Sequence, residues 1–107
     1  MIPTADGNTH LPLSELLYVE VVSHTLIYHT LSHDYETYGT LKNVEKELSP
    51  HGFFRCNSCY LVNLQYIRRI DGYTVYVGKT PLAISHPRRK HFLAAMTQFC
   101  ERRANTQ

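Results

Sequence analysis

Residues 53–67, FFRCNSCYLVNLQYI, hold two cysteines at C-x-x-C spacing inside a run of aromatic and aliphatic side chains. That spacing suits two chemistries. A structural zinc ion needs four thiolate or imidazole ligands in a tetrahedron. Cys56 and Cys59 supply two, and the nearest others, His33 and His51, lack paired spacing. A thioredoxin-like dithiol sits between a strand and a helix of a βαβ unit, whereas a second strand follows here. The pair is therefore assigned neither a metal nor a redox couple, and packing or contact roles are expected. Arg55 beside Cys56 would favour a thiolate, which keeps a regulatory thiol open.

Histidine is abundant, with 7 in 107 residues. His24 stands between Ser23 and Thr25 at an expected hairpin tip, where an imidazole is better placed to hydrogen-bond a ligand than to pack. His29 falls inside a strand, as a core or sheet-face residue. His86 and His91 bracket the basic run HPRRKH (86–91), which opens the last expected helix. Its guanidinium groups suit phosphates, or bidentate contacts to guanine edges in a major groove. The plain alternative is a solvated first turn, yet cations are electrostatically misplaced at a helix N-terminus. Arg68 and Arg69 are neighbours on a strand, so at most one of them shares a surface with the other basic groups. No Ser/His/Asp or Cys/His arrangement and no glycine-rich phosphate loop is evident. Neither catalysis nor a cofactor is expected.

The length fits one domain. Net charge is +2, but it is unevenly spread: residues 1–54 carry Lys42 and Lys46 against seven acids, and residues 55–107 carry nine Lys/Arg against Asp71 and Glu101. Halves of −5 and +7 suggest that part of the surface faces a polyanion. Apolar runs are too short to span a membrane, and MIPTADGNTH lacks the form of a signal peptide. An odd cysteine count without that signal favours a reducing cytoplasm.

The expected elements are mostly strands. LLYVEVV (16–22) alternates, with Leu17, Val19 and Val21 on one face. TLIYHTL (25–31) follows across Ser23-His24, and DYETYG (34–39) adds a third strand. Thr40 is the expected N-cap of LKNVEKEL, whose Leu41, Val44 and Leu48 share a face, and Ser49-Pro50 stops it. YIRRI meets YTVYV across Asp71-Gly72, a pair suited to a type I′ turn, and YTVYV meets TPLAIS across Gly78-Lys79, suited to type II′. In the closing helix Pro87 fits the first turn, and Phe92, Met96, Phe99 and Cys100 share one face. The pattern is two β-meanders joined by a short helix, with a second helix at the C-terminus.

In this order, LPLSELLYVEVVSHTLIYHT, YGTLKNVEKEL, FFRCNSCYLVNLQYIRRI and VGKTPLAIS, followed by a basic helix, the chain resembles the LytTR DNA-binding domain family over residues 11–99. The most specific segments are Phe53-Phe54-Arg55 followed by Tyr60-Leu61-Val62-Asn63 and Ile67, then Gly78 through Ser85, with Tyr18-Val19-Glu20 in the first strand. The resemblance implies a mainly β fold, an elongated arrangement of small antiparallel sheets with little helix. Residues 1–10 read as a linker remnant or disordered leader, which leaves an expected domain of this type at 11–101 and a tail at 102–107. The resemblance also implies the output domain of a bacterial transcriptional regulator, commonly joined to a receiver domain of a two-component system or to another sensory part. Such domains bind double-stranded promoter DNA through loops in successive major grooves, often at tandem direct repeats, with copies pairing on the DNA.

Carried over by position, the first hairpin tip matches Ser23 and His24. The loop after the aromatic-x-Arg segment matches Asn57 and Ser58, with Arg55 reaching a phosphate or bracing the loop. The end of the last strand matches His86, Arg88, Arg89 and Lys90. Two departures from the family pattern stand out: Cys59 replaces a serine before Tyr60, and His86-Pro87 interrupts the usual run after Ser85. The first leaves Asn57 as the expected adenine reader; the second favours Arg88 over Arg89 as the guanine contact. A protein-interaction module, or a thiol- or metal-dependent sensor using Cys56 and Cys59, is the rival reading.

Overall fold

Alternating apolar residues define the strands, and turn-forming residues cut them. The computed structural model describes residues 2–3 and 10–105. In chain order its elements are β1 (Ile2–Pro3), β2 (His10–Leu11), β3 (Leu16–Val22), β4 (Thr25–Thr30), β5 (Asp34–Tyr38), α1 (Leu41–Leu48), β6 (Phe53–Asn57), β7 (Tyr60–Asn63), β8 (Ile67–Asp71), β9 (Thr74–Val77), β10 (Thr80–Ala83) and α2 (His86–Asn105). β1 and β2 pair as a two-residue ladder. Most of the leader expected at 1–10 lies outside the described residues. At the other end α2 continues through the expected tail to Asn105, and residues 106–107 lie outside the description. Among the described residues no helix is long and apolar enough to cross a membrane.

Two antiparallel sheets carry the fold, ordered β5-β4-β3-β7-β6 and β10-β9-β8. The two expected meanders are present as β3–β5 and β8–β10. The β6–β7 hairpin joins the first of them because β7 pairs with β3, with Val19 opposite Leu61. β3 thereby becomes a central strand with both faces covered. A register shift between Leu16 and Tyr18 breaks its alternation. Leu16, Val19 and Val21 join one apolar cluster, while Leu17 and Tyr18 join the other. The expected common face of Leu17, Val19 and Val21 is corrected accordingly.

The first cluster packs Leu26, Tyr28, Phe53 and Leu61 of the larger sheet against Leu41, Val44 and Leu48 of α1. Thr40 caps that helix as expected, its hydroxyl accepting the Asn43 amide at 3.3 Å. The second cluster packs Tyr18, Cys56 and Val62 against Val75, Val77 and Leu82 of the smaller sheet and Phe92 of α2. Because the smaller sheet and α2 cover one face of the larger sheet, the extents are 36 × 34 × 25 Å, less elongated than the resemblance implies. On α2, Phe92 is fully buried, with Ala95, Met96 and Phe99 partly so. Cys100 is exposed instead, since one residue past Phe99 turns about 100° away from the sheet.

Four two-residue turns reverse the chain at the sheet ends, Ser58-Cys59 between β6 and β7 among them. Gly78-Lys79 is the expected turn, with Gly78 at φ 60. The preceding turn lies one residue later than expected: Asp71 pairs with Thr74, so Gly72 and Tyr73 form it, with Gly72 at φ 61. Positive φ at the first position alone is the type II′ pattern, in place of the type I′ expected for Asp-Gly. Ser23-His24 turns β3 into β4 with Ser23 at φ 56, in the left-handed region. That conformation costs an L-residue about 1–2 kcal/mol.

Two stability outcomes are expected. Phe92→Ala removes the side chain joining α2 to both sheets and should cost about 3–5 kcal/mol in urea unfolding. Ser23→Gly should raise stability by about 1 kcal/mol in the same measurement, by relieving the left-handed strain. An unchanged midpoint would mean that Ser23 carries no strain.

Candidate nucleic-acid interface

Strand register decides which turns meet. Glu20 of β3 lies opposite Tyr60 of β7, and the Val21 amide donates to the Cys59 carbonyl at 2.9 Å. The Ser23-His24 and Ser58-Cys59 turns therefore leave the same end of the larger sheet. β3, β4 and β5 are cross-tied on one face by His29, whose Nε2 lies 2.9 Å from Glu20 Oε1 and whose Nδ1 lies 3.0 Å from Asp34 Oδ1. Its ring also stacks on Tyr18 at 4.3 Å. His29 is thus a sheet-face residue, as its strand position suggests.

β6 reaches the same end through a bulge. Its register against β7 shifts between Arg55 and Asn57, which makes Cys56 the extra residue. The Cys56 side chain turns into the core, and its carbonyl accepts the Ser85 amide at 2.9 Å. Next to it, Asn57 donates from Nδ2 to the Ala83 carbonyl at 2.6 Å and accepts the Cys59 amide on Oδ1 at 2.7 Å. The Ser85 and Ala83 bonds fasten the β6–β7 turn to the exit of β10 and bring the start of α2 to that edge, while the Cys59 bond shapes the turn itself. The Gly72-Tyr73 turn joins as well, since Ala83 lies opposite Thr74 and Arg89 Nε donates to the Gly72 carbonyl at 2.8 Å.

Ser23, His24, Ser58, His86 and Lys90 are exposed along this edge, and Arg88 and Arg89 are half-buried. Asn57 is different, because both ends of its amide are engaged, Nδ2 by the Ala83 carbonyl of β10 and Oδ1 by the Cys59 amide of its own turn. Arg55 points to the opposite face, where its Nε lies 3.2 Å from Glu45 Oε1 and braces β6 against α1. The Arg55 Nε has no aligned hydrogen bond, so charge rather than direction holds the pair. Arg68 is the extra residue in the β8–β9 ladder, and both it and Arg69 are exposed. The bulge breaks the alternation that was expected to separate them. Arg69 lies over the Tyr76 ring at 4.4 Å.

Burial pushes the Cys56 thiol up to about 12, outweighing the opposite pull of the Arg88 charge. At neutral pH it is a core thiol, neither nucleophile nor metal ligand. The regulatory thiol left open for Cys56 is corrected on two grounds: the sulfur is buried, and Arg55 faces Glu45 instead. Cys59 and Cys100 are exposed, and all three cysteines are free. Among the described residues no group of three or more His, Cys, Asp or Glu is placed to hold a metal.

The sequence reading missed Tyr73, which is 45% exposed at this edge and stacks on His86 at 3.9 Å. The signal that hid it was Asp71-Gly72: taken as the turn, that pair makes Tyr73 an ordinary strand residue. Tyr38, 85% exposed, was missed as well; it lies opposite Thr25, next to the His24 turn. One outcome tests the thiol geometry. Iodoacetamide on the native protein should label Cys59 and Cys100 and spare Cys56 until denaturant is added. Native labelling of Cys56, read by peptide mass, would contradict its burial.

Comparison with known proteins agrees with this fold. A family model described as the LytTr DNA-binding domain matches residues 6–97. Among solved structures, the chain is similar to the LytTr DNA-binding domain of a putative methyl-accepting/DNA response regulator from Bacillus cereus. The TM-score is 0.75 at 20% identity, covering 87% of this chain and 91% of that one. No curated protein matches. With the family model spanning nearly the whole chain and the fold in agreement, this protein belongs to the LytTR DNA-binding domain family.

Proposed function

We propose that the chain is the sequence-specific DNA-binding output domain of a bacterial transcriptional regulator. One observation carries this reading: the Ser23-His24 turn, the Ser58-Cys59 turn and the basic start of α2 share one edge, the last two joined by hydrogen bonds. The edge presents imidazole, hydroxyl and guanidinium groups to a double helix. Arg89 and Lys90 neutralise phosphates and set the register, with His86 beside them, while His24, Ser58 and Arg88 reach base edges in successive major grooves. Asn57 acts by shaping the loop, so Ser58 takes over the contact that the sequence assigned to Asn57. Arg55 acts as a brace, and Ser23 fixes the hairpin tip.

The function requires no catalysis and no cofactor. Its partner is promoter DNA, at tandem direct repeats on which two copies pair. Control comes from a receiver domain of a two-component system or another sensory part of the parent protein, in the cytoplasm. The +7 charge of residues 55–107 supports a polyanionic partner and weighs against a protein-interaction module.

Selection of bound duplexes from a random pool tests the activity and yields the site. Affinity for the selected duplex should fall steeply between about 50 and 200 mM salt, which a protein partner would not require. Arg88→Ala should cost about 1–3 kcal/mol on that duplex and relax specificity at one position. An unchanged isotherm would remove Arg88 from the contacts, and failure to enrich any duplex would remove DNA binding.

A further inference from the structure

Tyr73 has surroundings that a surface tyrosine does not need. Its backbone is fixed, with its carbonyl accepting the Ile84 amide at 2.7 Å, yet its ring is left 45% exposed. The His86 ring stacks on it with centroids 3.9 Å apart and planes at 21°. The Arg89 guanidinium carbon lies 5.0 Å from the same ring, within cation–π range. Arg89 is held at a second point, where its Nε donates to the Gly72 carbonyl at 2.8 Å. A guanidinium fixed through its Nε and its planar face still offers the two terminal nitrogens, the pair suited to bidentate contact with an oxyanion. Arg88 and Arg89 also diverge. Arg88 lies where its charge acts on Cys56, beside the β6–β7 turn, whereas Arg89 is bound to the β8–β9 turn.

We infer that Tyr73 is a positioning residue for DNA binding: with the Gly72 carbonyl it presets Arg89 as a phosphate clamp that carries no sequence information. Arg88 is thereby left as the reader on the same helical turn. The inference rests on the proposed DNA-binding function. The physical gain is preorganisation, because an arginine already held in its bound geometry loses less side-chain freedom on binding. A phosphate clamp of this kind strengthens binding to every duplex alike and adds to the salt dependence.

The test is a mutant cycle on wild type, Tyr73→Phe, Tyr73→Leu, Arg89→Ala and the Tyr73→Leu/Arg89→Ala double variant. Affinity is measured against salt on the selected duplex and on a scrambled one, with thermal melting of each protein as a check on folding. Tyr73→Phe keeps the ring and should bind like wild type. Arg89→Ala should weaken both duplexes by the same factor and reduce the salt slope by about one. Tyr73→Leu should weaken both by about 2- to 10-fold, and should have no further effect once Arg89 is gone. Equal losses from Tyr73→Leu with and without Arg89 would mean a general structural role and overturn the inference. So would an unaffected Tyr73→Leu, or a loss confined to the selected duplex. Failure of wild type to bind either duplex would instead sink the underlying DNA-binding reading.

Discussion

The architecture depends on the joint between the β6–β7 turn and the exit of β10. Two bonds make it, Asn57 Nδ2 to the Ala83 carbonyl and the Ser85 amide to the Cys56 carbonyl. Both bridge segments more than two dozen residues apart in sequence, and they join the larger sheet to the start of α2. Without them, the smaller sheet and α2 would still pack through Phe92 and Val75. The angle between the hairpin tips and the basic helix would then rest largely on non-directional apolar contact. Hydrogen bonds are directional, so this joint is what converts a packed core into a defined edge.

The bulge at Cys56 makes the joint geometrically possible. An extra residue in β6 bends the strand, drives the Cys56 side chain inward and turns its carbonyl toward Ser85. The C-x-x-C spacing thus has a mechanical explanation. One cysteine fills the core at the bulge, the other caps an exposed turn, and the residues between them shape and present the loop. The Arg55–Glu45 pair on the opposite face keeps the same strand seated on α1. Among the described non-glycine residues, only Ser23 at the neighbouring tip holds a left-handed conformation, next to His24.

Much of this was legible in the sequence because local rules and the fold agree. Thr40 before LKNVEKEL, Gly78-Lys79 between two alternating runs, and the apolar spacing of 41–48 all specify their elements without help from distant residues. The grouping of the three turns was legible through family resemblance, which carries the long-range arrangement that periodicity cannot. What stayed hidden depends on tertiary context. Bulges at Leu16/Tyr18 and Arg55/Asn57 leave no signal in the alternation, so the faces of β3 and the burial of Cys56 could not be read. Asn57 read as a base contact because an exposed amide suits adenine; only the approach of Ala83 engages it internally. A one-residue slip at Asp71-Gly72 concealed Tyr73.

Whether these turns act as a single surface is best settled by following backbone amides of the isotopically labelled protein by NMR during titration with a short duplex at low salt. Perturbed resonances should gather in residues 22–25, 56–60, 72–73 and 84–91, leaving α1 and the far end of β5 at 34–36 quiet. A map centred on α1 or β5, or spread evenly over the molecule, would contradict the common edge on which the proposed function stands.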